Sequence, residues 1–440
     1  MRRALAALSL CVAACDSASP PTATATPPPS ASPAARIDST PDPAPIPETP
    51  TTDPLAAPDP PAPLPPDPDR PILGPFEHWV SAYTAASAPE TFRPPRLRLL
   101  ADLGTPPRGT LVIQRSGHLH RLTLPEGTEE PLTSGAGHEG PPMWTEDGKH
   151  LFFLSNRDEA KDRVFQLPAA GGAPRAVTRP LRRGSGFSWT MSRDGSQIAY
   201  VHGTEPDGVH LVDVATGDDR TLPITEVNYL SFSRDAATLF VVTGRITGTA
   251  GLTSVDVRTA GTKSLGVPPV AELGQPWDLG DGRLLVVTSA DFSMMGRDPH
   301  FITMPTTGGA FTRIGRYDVP IGYLGGDVSP NRARIAAAWS QRQGGLGAAW
   351  FEDVTILDLA SGSVLAPRLS AMFPRPFYQA NDPTWAPDNR HIALTLSVCA
   401  RADCKPLVRS VVLVDVDHPD ETPVFLAEGG AAAFRPEPVD

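Results

Sequence analysis

Three glycines, Gly135, Gly137 and Gly140, have the GxGxxG spacing of loops that bind dinucleotide phosphates. Such a loop binds phosphate only between a strand and a helix of a βαβ unit, where the helix N-terminus faces the ligand. No βαβ pattern surrounds these glycines, so the sequence argues against a nucleotide site. The chain also lacks GxSxG, HExxH and Walker motifs. We therefore predict no cofactor, and no local motif identifies a catalytic residue.

Two histidines, His118 and His120, alternate along a segment with the pattern of a strand and therefore share one face. Zinc sites in proteins use three or four ligands, and the sequence places no carboxylate or third ligand beside this pair. We predict that both histidines are surface residues and that they hold no metal.

The cysteines fall into two groups. Cys11 lies in a short apolar run that follows two arginines, and residues 1–14 have the pattern of a secretory signal too short to span a bilayer. Cys399 and Cys404 stand on either side of a short loop. In an exported protein we expect them to form a disulfide, with a metal-binding pair as the alternative.

The end of the apolar run, Val12 to Cys15, resembles the lipobox of bacterial lipoproteins. In that family the cysteine receives lipid and becomes the mature N-terminus. The resemblance implies that Cys15 is lipidated and that the protein is anchored on the periplasmic side of the cell envelope, to the inner or the outer membrane. An ordinary signal peptide with a chance cysteine is the alternative.

Composition separates the rest of the chain into a linker, a connector and a large domain. The chain of 440 residues has a formal charge of −11, and an acidic surface repels nucleic acid. Residues 15–73 contain twenty of the 52 prolines and few large apolar side chains, so we predict a disordered linker. Residues 74–108 begin with a short helix over 75–90, with Phe76, Trp79 and Tyr83 on one face. The helix is expected to pack on the main domain or to bind a partner.

A sequence pattern of eight residues with a turn at its centre, which we call the phrase, occurs six times in the remaining sequence. A bulky apolar residue leads each copy, and an aliphatic residue stands seven positions later. The leads are Trp144, Met191, Phe232, Trp277, Val328 and Trp385. The Asp-Gly pairs between them are typical of tight turns that join antiparallel strands, because glycine accepts a positive φ angle. We interpret these aspartates as turn formers rather than catalytic groups.

Each phrase opens a unit of four short apolar runs, and the leads are 41 to 57 residues apart. Four strands in this length are typical of a β-propeller blade. Thr110–Thr133 supplies a second, third and fourth strand without a first, and Ala431–Glu437 supplies a first strand alone. Joined, they make a seventh blade without exposed edges. We predict an all-β fold, a seven-bladed propeller over 109–440 closed by its N- and C-terminal segments.

The first full unit, Trp144 to Thr178, resembles the repeat of the TolB-like, or WD40-like (PD40), β-propellers. It has that family's tryptophan, Asp147-Gly148 turn, aliphatic-aromatic strand, Ser-x-Arg-Asp loop and Gly171-Gly172 turn. The resemblance covers residues 109–437 at the level of the repeat and implies a propeller in the cell envelope. TolB itself differs in blade number and carries an α/β domain instead of a Pro-rich linker, so its particular function is not implied.

The loops after the second and fourth strands of a blade emerge on one face of the ring, which we call the loop face. The turns after the first strands lie on the opposite, tight-turn face. The later units have long apolar connections on the loop face, and we predict that these form a binding patch. The predicted residues are Phe292, Met294, Met295, Trp350, Phe351, Met372, Phe373, Phe377 and Tyr378. Alternatively, these loops fold back over the channel.

Two function classes remain open at this point. The first is a monomeric, non-enzymatic scaffold that binds an envelope protein or a small ligand on the loop face and meets the membrane only through its lipid. The second is a hydrolase or lyase whose site is assembled in the channel. Charged residues converging on the channel mouth would favour the second class, and a lining of small apolar residues would count against it.

Overall fold

The recurring phrase forms the inner hairpin of each blade of a β-propeller. The computed structural model describes residues 97–158, 162–180, 189–201, 208–244, 251–266, 272–289, 300–316, 322–342, 350–365, 367, 369, 378–399 and 407–437. The signal peptide 1–14, the linker 15–73 and the helix 75–90 that the sequence predicts lie outside these ranges. Within them, no helix has the length and apolar character needed to cross a membrane.

The described strands form seven sheets, one for each blade. The innermost strands of blades one to seven are β5 (Met143–Trp144), β9 (Trp189–Met191), β13 (Val227–Phe232), β17 with β18 (Glu272–Leu273 and Trp277–Asp278), β22 (Gly322–Val328), β26 (Tyr378–Trp385) and β30 (Gly430–Phe434). The second strands are β6 (His150–Ser155), β10 (Gln197–Val201), β14 (Thr238–Thr243), β19 (Arg283–Ser289), β23 (Arg334–Arg342), β27 (His391–Cys399) and β2 (Gly109–Arg115).

The third and fourth strands form the outer half of each blade and are given in the same order of blades. The third strands are β7 (Arg163–Pro168), β11 (Val209–Asp213), β15 (Gly251–Asp256), β20 (His300–Pro305), β24 (Trp350–Asp358), β28 (Leu407–Asp415) and β3 (His118–Leu124). The fourth strands are β8 (Arg175–Ala176), β12 (Asp219–Leu222), β16 (Thr262–Ser264), β21 (Thr312–Arg316), β25 (Val364–Leu365), β29 (Val424–Glu428) and β4 (Thr128–Pro131). Neighbouring strands within each of these blades are antiparallel.

Blade seven combines both ends of the propeller sequence, which confirms the predicted closure. Strand β30 pairs with β2 through Leu111 and Phe434 and through Val112 and Ala433. Phe434 is buried in one apolar cluster with residues of blades six and seven. The closing strand therefore gives the ring both backbone hydrogen bonds and side-chain packing.

Lead tryptophans also join neighbouring blades. The indole of Trp144 in blade one donates to the carbonyl of Ala433 in blade seven at 3.3 Å. Likewise, the indole of Trp385 in blade six donates to the carbonyl of Asp327 in blade five at 2.9 Å. A buried indole N–H requires an acceptor, and here the acceptor belongs to the innermost strand of the preceding blade.

The tight turns have a shared hydrogen-bond pattern that explains the recurrence of their residue types. In blade two, the hydroxyl of Ser192 donates to the carboxylate of Asp194 at 2.6 Å, and the N–H of Ser196 donates to the same carboxylate at 3.0 Å. Blades one, three and five repeat the arrangement with Thr145–Asp147, Ser233–Asp235 and Ser329–Asn331. The interpretation of these aspartates as turn formers is confirmed at these positions.

The carboxyl of Asp147 makes this turn sensitive to acid. Desolvation raises its pKa, but hydrogen bonds from the Lys149 N–H and the Thr145 hydroxyl outweigh that effect and hold it at about 2. Because the folded pKa is below the unfolded value of about 3.9, the carboxylate stabilises the fold above that value. This contribution is lost as pH falls towards 2.

We expect Asp147→Asn to lower the free energy of unfolding by about 1 kcal/mol at pH 7, because a charge-assisted acceptor is lost. The difference from the wild type should shrink between pH 4 and pH 2. Urea unfolding across that pH range measures it, with Asp218→Asn in a neighbouring blade as the control. A difference that stays constant down to pH 2 would contradict the assignment.

The structure adds two features that the sequence did not predict. Residues of the connector form a two-residue strand, β1 (Arg98–Leu99), which pairs in parallel with β29, and a 3-10 turn follows at Leu100–Asp102. The stretch 340–351 was predicted as a loop, but its ends continue the β23–β24 hairpin as far as the pair Arg342 and Trp350. Similarly, the predicted loop 367–383 ends inside β26. Trp350, Phe351 and Tyr378 are therefore strand residues.

Candidate functional site in the propeller channel

The predicted apolar patch falls largely outside the described part of the chain. Phe292, Met294 and Met295 lie in 290–299, and Met372, Phe373 and Phe377 lie in 370–377, both beyond the described ranges. The backbones of Trp350, Phe351 and Tyr378 are placed in strands of blades five and six. Cys399 ends β27, whereas Cys404 and Cys15 lie outside the described residues, so the disulfide and the lipid site stay predictions.

The channel is bounded by the innermost strands, and its tight-turn mouth is crossed by an ion pair. The guanidinium of Arg234 in blade three donates to the Glu146 carboxylate of blade one at 2.5 Å. Blade two separates these blades in the ring, so the ion pair joins two blades that are not neighbours. Arg193 of blade two lies 3.5 Å from the same carboxylate oxygen.

Further charged groups extend this cluster around the mouth. The Asp278 carboxylate accepts the N–H groups of Arg234 and Gly280, each at 2.8 Å. Arg332 of blade five donates to the carbonyl of Leu279 at 3.2 Å. A Cβ added to Gly280 would lie 2.4 Å from Arg332 Nη1 and 3.2 Å from Arg234 Cδ. The two arginines therefore meet over this glycine, which leaves no room for a side chain.

Four charged residues at this mouth were not predicted from the sequence: Arg193, Arg234, Arg332 and Glu146. A shared position in the recurring phrase could have identified three of them. Glu146, Arg193 and Arg234 each occupy the second position after the lead of a recurring phrase. Each of their side chains is about one-third exposed. The buried Arg234 Nη1 has no hydrogen-bond partner among the described residues. Charged side chains of blades one, two and three thus meet at this mouth and remain in contact with solvent.

Two carboxyls on the innermost strands of blades five and six have raised pKa values. Burial raises the pKa of Asp327 to about 6, against the hydrogen bond from the Trp385 N–H and the attraction of Arg193 across the channel. Desolvation also raises the pKa of Asp382, although part of this side chain is open to solvent and Thr395 donates a hydrogen bond to it. A carboxyl such as that of Asp327 can exchange protons near neutral pH, as acid–base catalysis requires.

The lining of the channel therefore has two characters. Blades one to five contribute charged groups near the tight-turn mouth, which is the feature expected of an assembled active site. Blade seven contributes Ala431, Ala432 and Ala433, which are small and buried. The channel geometry alone consequently does not decide between binding and catalysis.

A second polar cluster lies on the loop face, at the seam between blades seven and one. Glu139 belongs to the GxGxxG stretch, and its side chain has no exposed surface. One carboxylate oxygen lies 2.5 Å from Arg157 Nη2, and the other lies 2.9 Å from His118 Nδ1. The Arg157 guanidinium also lies over the Phe153 and Phe165 rings, 5.6 and 5.5 Å from their centroids.

The sequence places no carboxylate beside the two histidines of β3, and in this respect the structure differs from the prediction. The structure gives each a carboxylate partner from a distant position, Glu139 for His118 and Glu129 for His120, the latter at 3.0 Å. In the described ranges there is no group of three or more His, Cys, Asp or Glu side chains placed to hold a metal. The seam and the channel mouth are thus two of the polar clusters that the fold assembles among the described residues.

Comparisons with solved structures agree with this architecture. TolB from Acinetobacter baumannii is 14% identical, with 74% of this chain and 82% of that chain covered and a TM-score of 0.43. The oligogalacturonate lyase of Vibrio parahaemolyticus is 13% identical, with 73% and 86% covered and a TM-score of 0.46. A prolyl endopeptidase is 14% identical, with 85% of this chain and 57% of that chain covered and a TM-score of 0.50.

At these identities the likeness concerns the fold alone, and the chain has a seven-bladed propeller. No protein-family model matches the sequence. The search of curated proteins likewise finds no match.

Proposed function

We propose that the protein is an envelope-tethered propeller that binds a protein or a small ligand on its loop face without chemical turnover. The observation that carries this proposal is the ion pair between Arg234 and Glu146 at the tight-turn mouth. Charged side chains therefore occupy the tight-turn face, and the apolar contact surface that we propose lies on the opposite, loop face. Propeller loops on this face vary freely in sequence because the blades, rather than the loops, hold the fold.

The positions of the long hairpins support a contact surface on blades four to six. Strand β24 of blade five begins at Trp350, and β26 of blade six begins at Tyr378. Both residues are at the loop-face ends of their strands, because the chain enters the third and first strands from that face. Trp350 and Tyr378, two of the apolar residues that the sequence predicts for binding, therefore begin strands of neighbouring blades at one face.

We expect the double substitution Phe373→Ala and Phe377→Ala to abolish co-purification of the partner from envelope extract, since aromatic anchors often dominate binding energy. The melting temperature should change little if these side chains meet the partner rather than the core. Affinity purification with mass spectrometry, together with thermal unfolding, measures both quantities.

The matched control is Phe311→Ala, because Phe311 is an exposed phenylalanine in a turn on the opposite, tight-turn face. This variant should retain the partner. A large loss of stability in the double variant, with binding kept by the folded fraction, would instead place Phe373 and Phe377 in the core.

The envelope location rests on the resemblance of Val12–Cys15 to a lipobox. We expect Cys15→Ser to release the protein into the soluble periplasmic fraction, because the lipid is the proposed membrane contact. Fractionation and uptake of labelled fatty acid measure this. A Cys15→Ser chain that still sediments with membranes, together with an unlabelled wild type, would refute the anchor.

A second candidate is an enzyme, hydrolase or lyase, with its active site in the channel. The raised pKa values of Asp327 and Asp382 favour this reading, because perturbed carboxyls in a cleft often serve as acids or bases. Once a ligand has been captured, the two candidates can be distinguished. Under this alternative the wild type would convert the ligand, whereas Asp327→Asn and Asp382→Asn would bind it without conversion.

A further inference from the structure

His118 and His120 are two imidazoles on one face of β3, and each has a carboxylate beside its Nδ1 atom. His118 Nδ1 lies 2.9 Å from Glu139, and His120 Nδ1 lies 3.0 Å from Glu129. Because they are two residues apart in a strand, their Cβ atoms are about 7 Å apart. Two imidazoles at that separation can reach one ion with metal–nitrogen bonds of about 2.0–2.1 Å.

The carboxylates determine which ring nitrogen is available. A carboxylate that accepts the Nδ1–H of a neutral imidazole leaves the Nε2 lone pair free to bind a metal. Histidine ligands commonly have such a carboxylate partner, which fixes the ring and makes the ligating nitrogen more basic. The sequence could not show this, because Glu139 and Glu129 lie 21 and 9 residues from their partners.

The two histidines are exposed enough for a metal ion to reach them, but a nearby positive charge limits their affinity for it. The side chains of His118 and His120 are 26% and 21% exposed, so an ion can reach them from solvent. Arg115 also lies against Glu129, at 2.9 Å, and its positive charge would oppose a nearby cation. Glu129 offsets part of that repulsion.

We propose that His118 and His120 form a surface site for a divalent transition-metal ion that prefers imidazole, such as Cu²⁺, Ni²⁺ or Zn²⁺, with water completing the coordination. The site lies on β3, the third strand of blade seven, and not on the innermost strands that bound the channel. Its histidines are not among the residues proposed to bind the partner.

The test is titration of the untagged mature chain with Ni²⁺ by calorimetry and with Cu²⁺ by electron paramagnetic resonance. We expect one ion for each chain and a Cu²⁺ spectrum with couplings from two imidazole nitrogens. His120→Gln should weaken binding at least tenfold while Glu129 still pairs with Arg115. Glu129→Gln should also weaken binding tenfold or more, since the ring loses its orienting partner and Arg115 loses its counter-charge.

His150→Gln, a change at a half-buried histidine of blade one, is the matched control and should leave the affinity unchanged. Thermal unfolding without metal checks that each variant folds, and His120→Gln is preferred to His118→Gln because His118 also contacts the buried Glu139. An unchanged affinity in His120→Gln overturns the proposal. A Cu²⁺ spectrum with fewer than two coupled imidazoles does so independently of any variant.

Discussion

Deletion of residues 431–440 is expected to abolish cooperative folding of the propeller. The deletion removes all but the first residue of β30, the innermost strand of blade seven, and leaves the edge of β2 unpaired. It also removes Phe434, which is 6% exposed and packs with Leu111 in the cluster between blades six and seven. Loss of such a phenylalanine alone costs about 3–5 kcal/mol, a large share of the roughly 5–15 kcal/mol that stabilises a typical domain.

Thermal unfolding and size-exclusion chromatography measure the effect. The truncated chain should lose its sharp transition and aggregate, because unpaired strand edges pair with one another. The control is a chain that ends at Glu437 and so retains β30; it should behave as the wild type does. A chain without β30 that melts at the wild-type temperature would show that the ring does not depend on this strand.

The second large effect is expected for Glu139→Ala at the seam between blades seven and one. Glu139 is fully buried, and its two oxygens face Arg157 and His118. Removing the carboxylate leaves the Arg157 guanidinium, which is only 15% exposed, without its counter-charge. Breaking a buried ion pair in this way costs about 3–5 kcal/mol, and urea unfolding at pH 7 measures it.

Glu130→Ala is the matched control, because Glu130 is 51% exposed in its pair with Arg121 and should contribute no more than about 1 kcal/mol. The double variant Glu139→Ala, Arg157→Met should regain part of the lost stability, since methionine can pack against the Phe153 and Phe165 rings without a charge. Equal costs for Glu139→Ala and Glu130→Ala would argue against a structural role for the buried carboxylate.

Much of the fold could be predicted from the sequence because its determinants are local. The alternation of apolar residues and the turn chemistry of Ser192, Asp194 and Gly195 act over a few residues and recur in several blades. The seventh blade was also predictable, because one terminal segment lacked a first strand and the other supplied it. Strand β1 was not, because its two residues pair with β29 in a way that no residue pattern indicates.

The polar clusters were harder to predict because they depend on the closed ring. Arg234 and Glu146 are 88 residues apart and meet only when the folded ring brings the turns of blades one and three together. Glu139 lies in the GxGxxG stretch, which the sequence suggested only as a possible phosphate site. The burial of its carboxylate depends on contacts with residues distant in the sequence, so it could not be predicted. The extension of the blade-five hairpin was hidden by Gly344 and Gly345, because such glycines are typical of loops.

Ring closure by the two ends of the sequence also orders events during biogenesis. Strand β30 follows β2 by about 320 residues, so there is an interval, while the chain is delivered to the compartment where it folds, in which β2 is present without β30. Throughout that interval blade seven lacks its innermost strand, and a chain cut short by premature termination or proteolysis never obtains it. Closure thus distinguishes complete chains from incomplete ones. In a full-length polypeptide β30 covers the edge of β2, whereas in an incomplete one that edge stays open to chaperones and proteases.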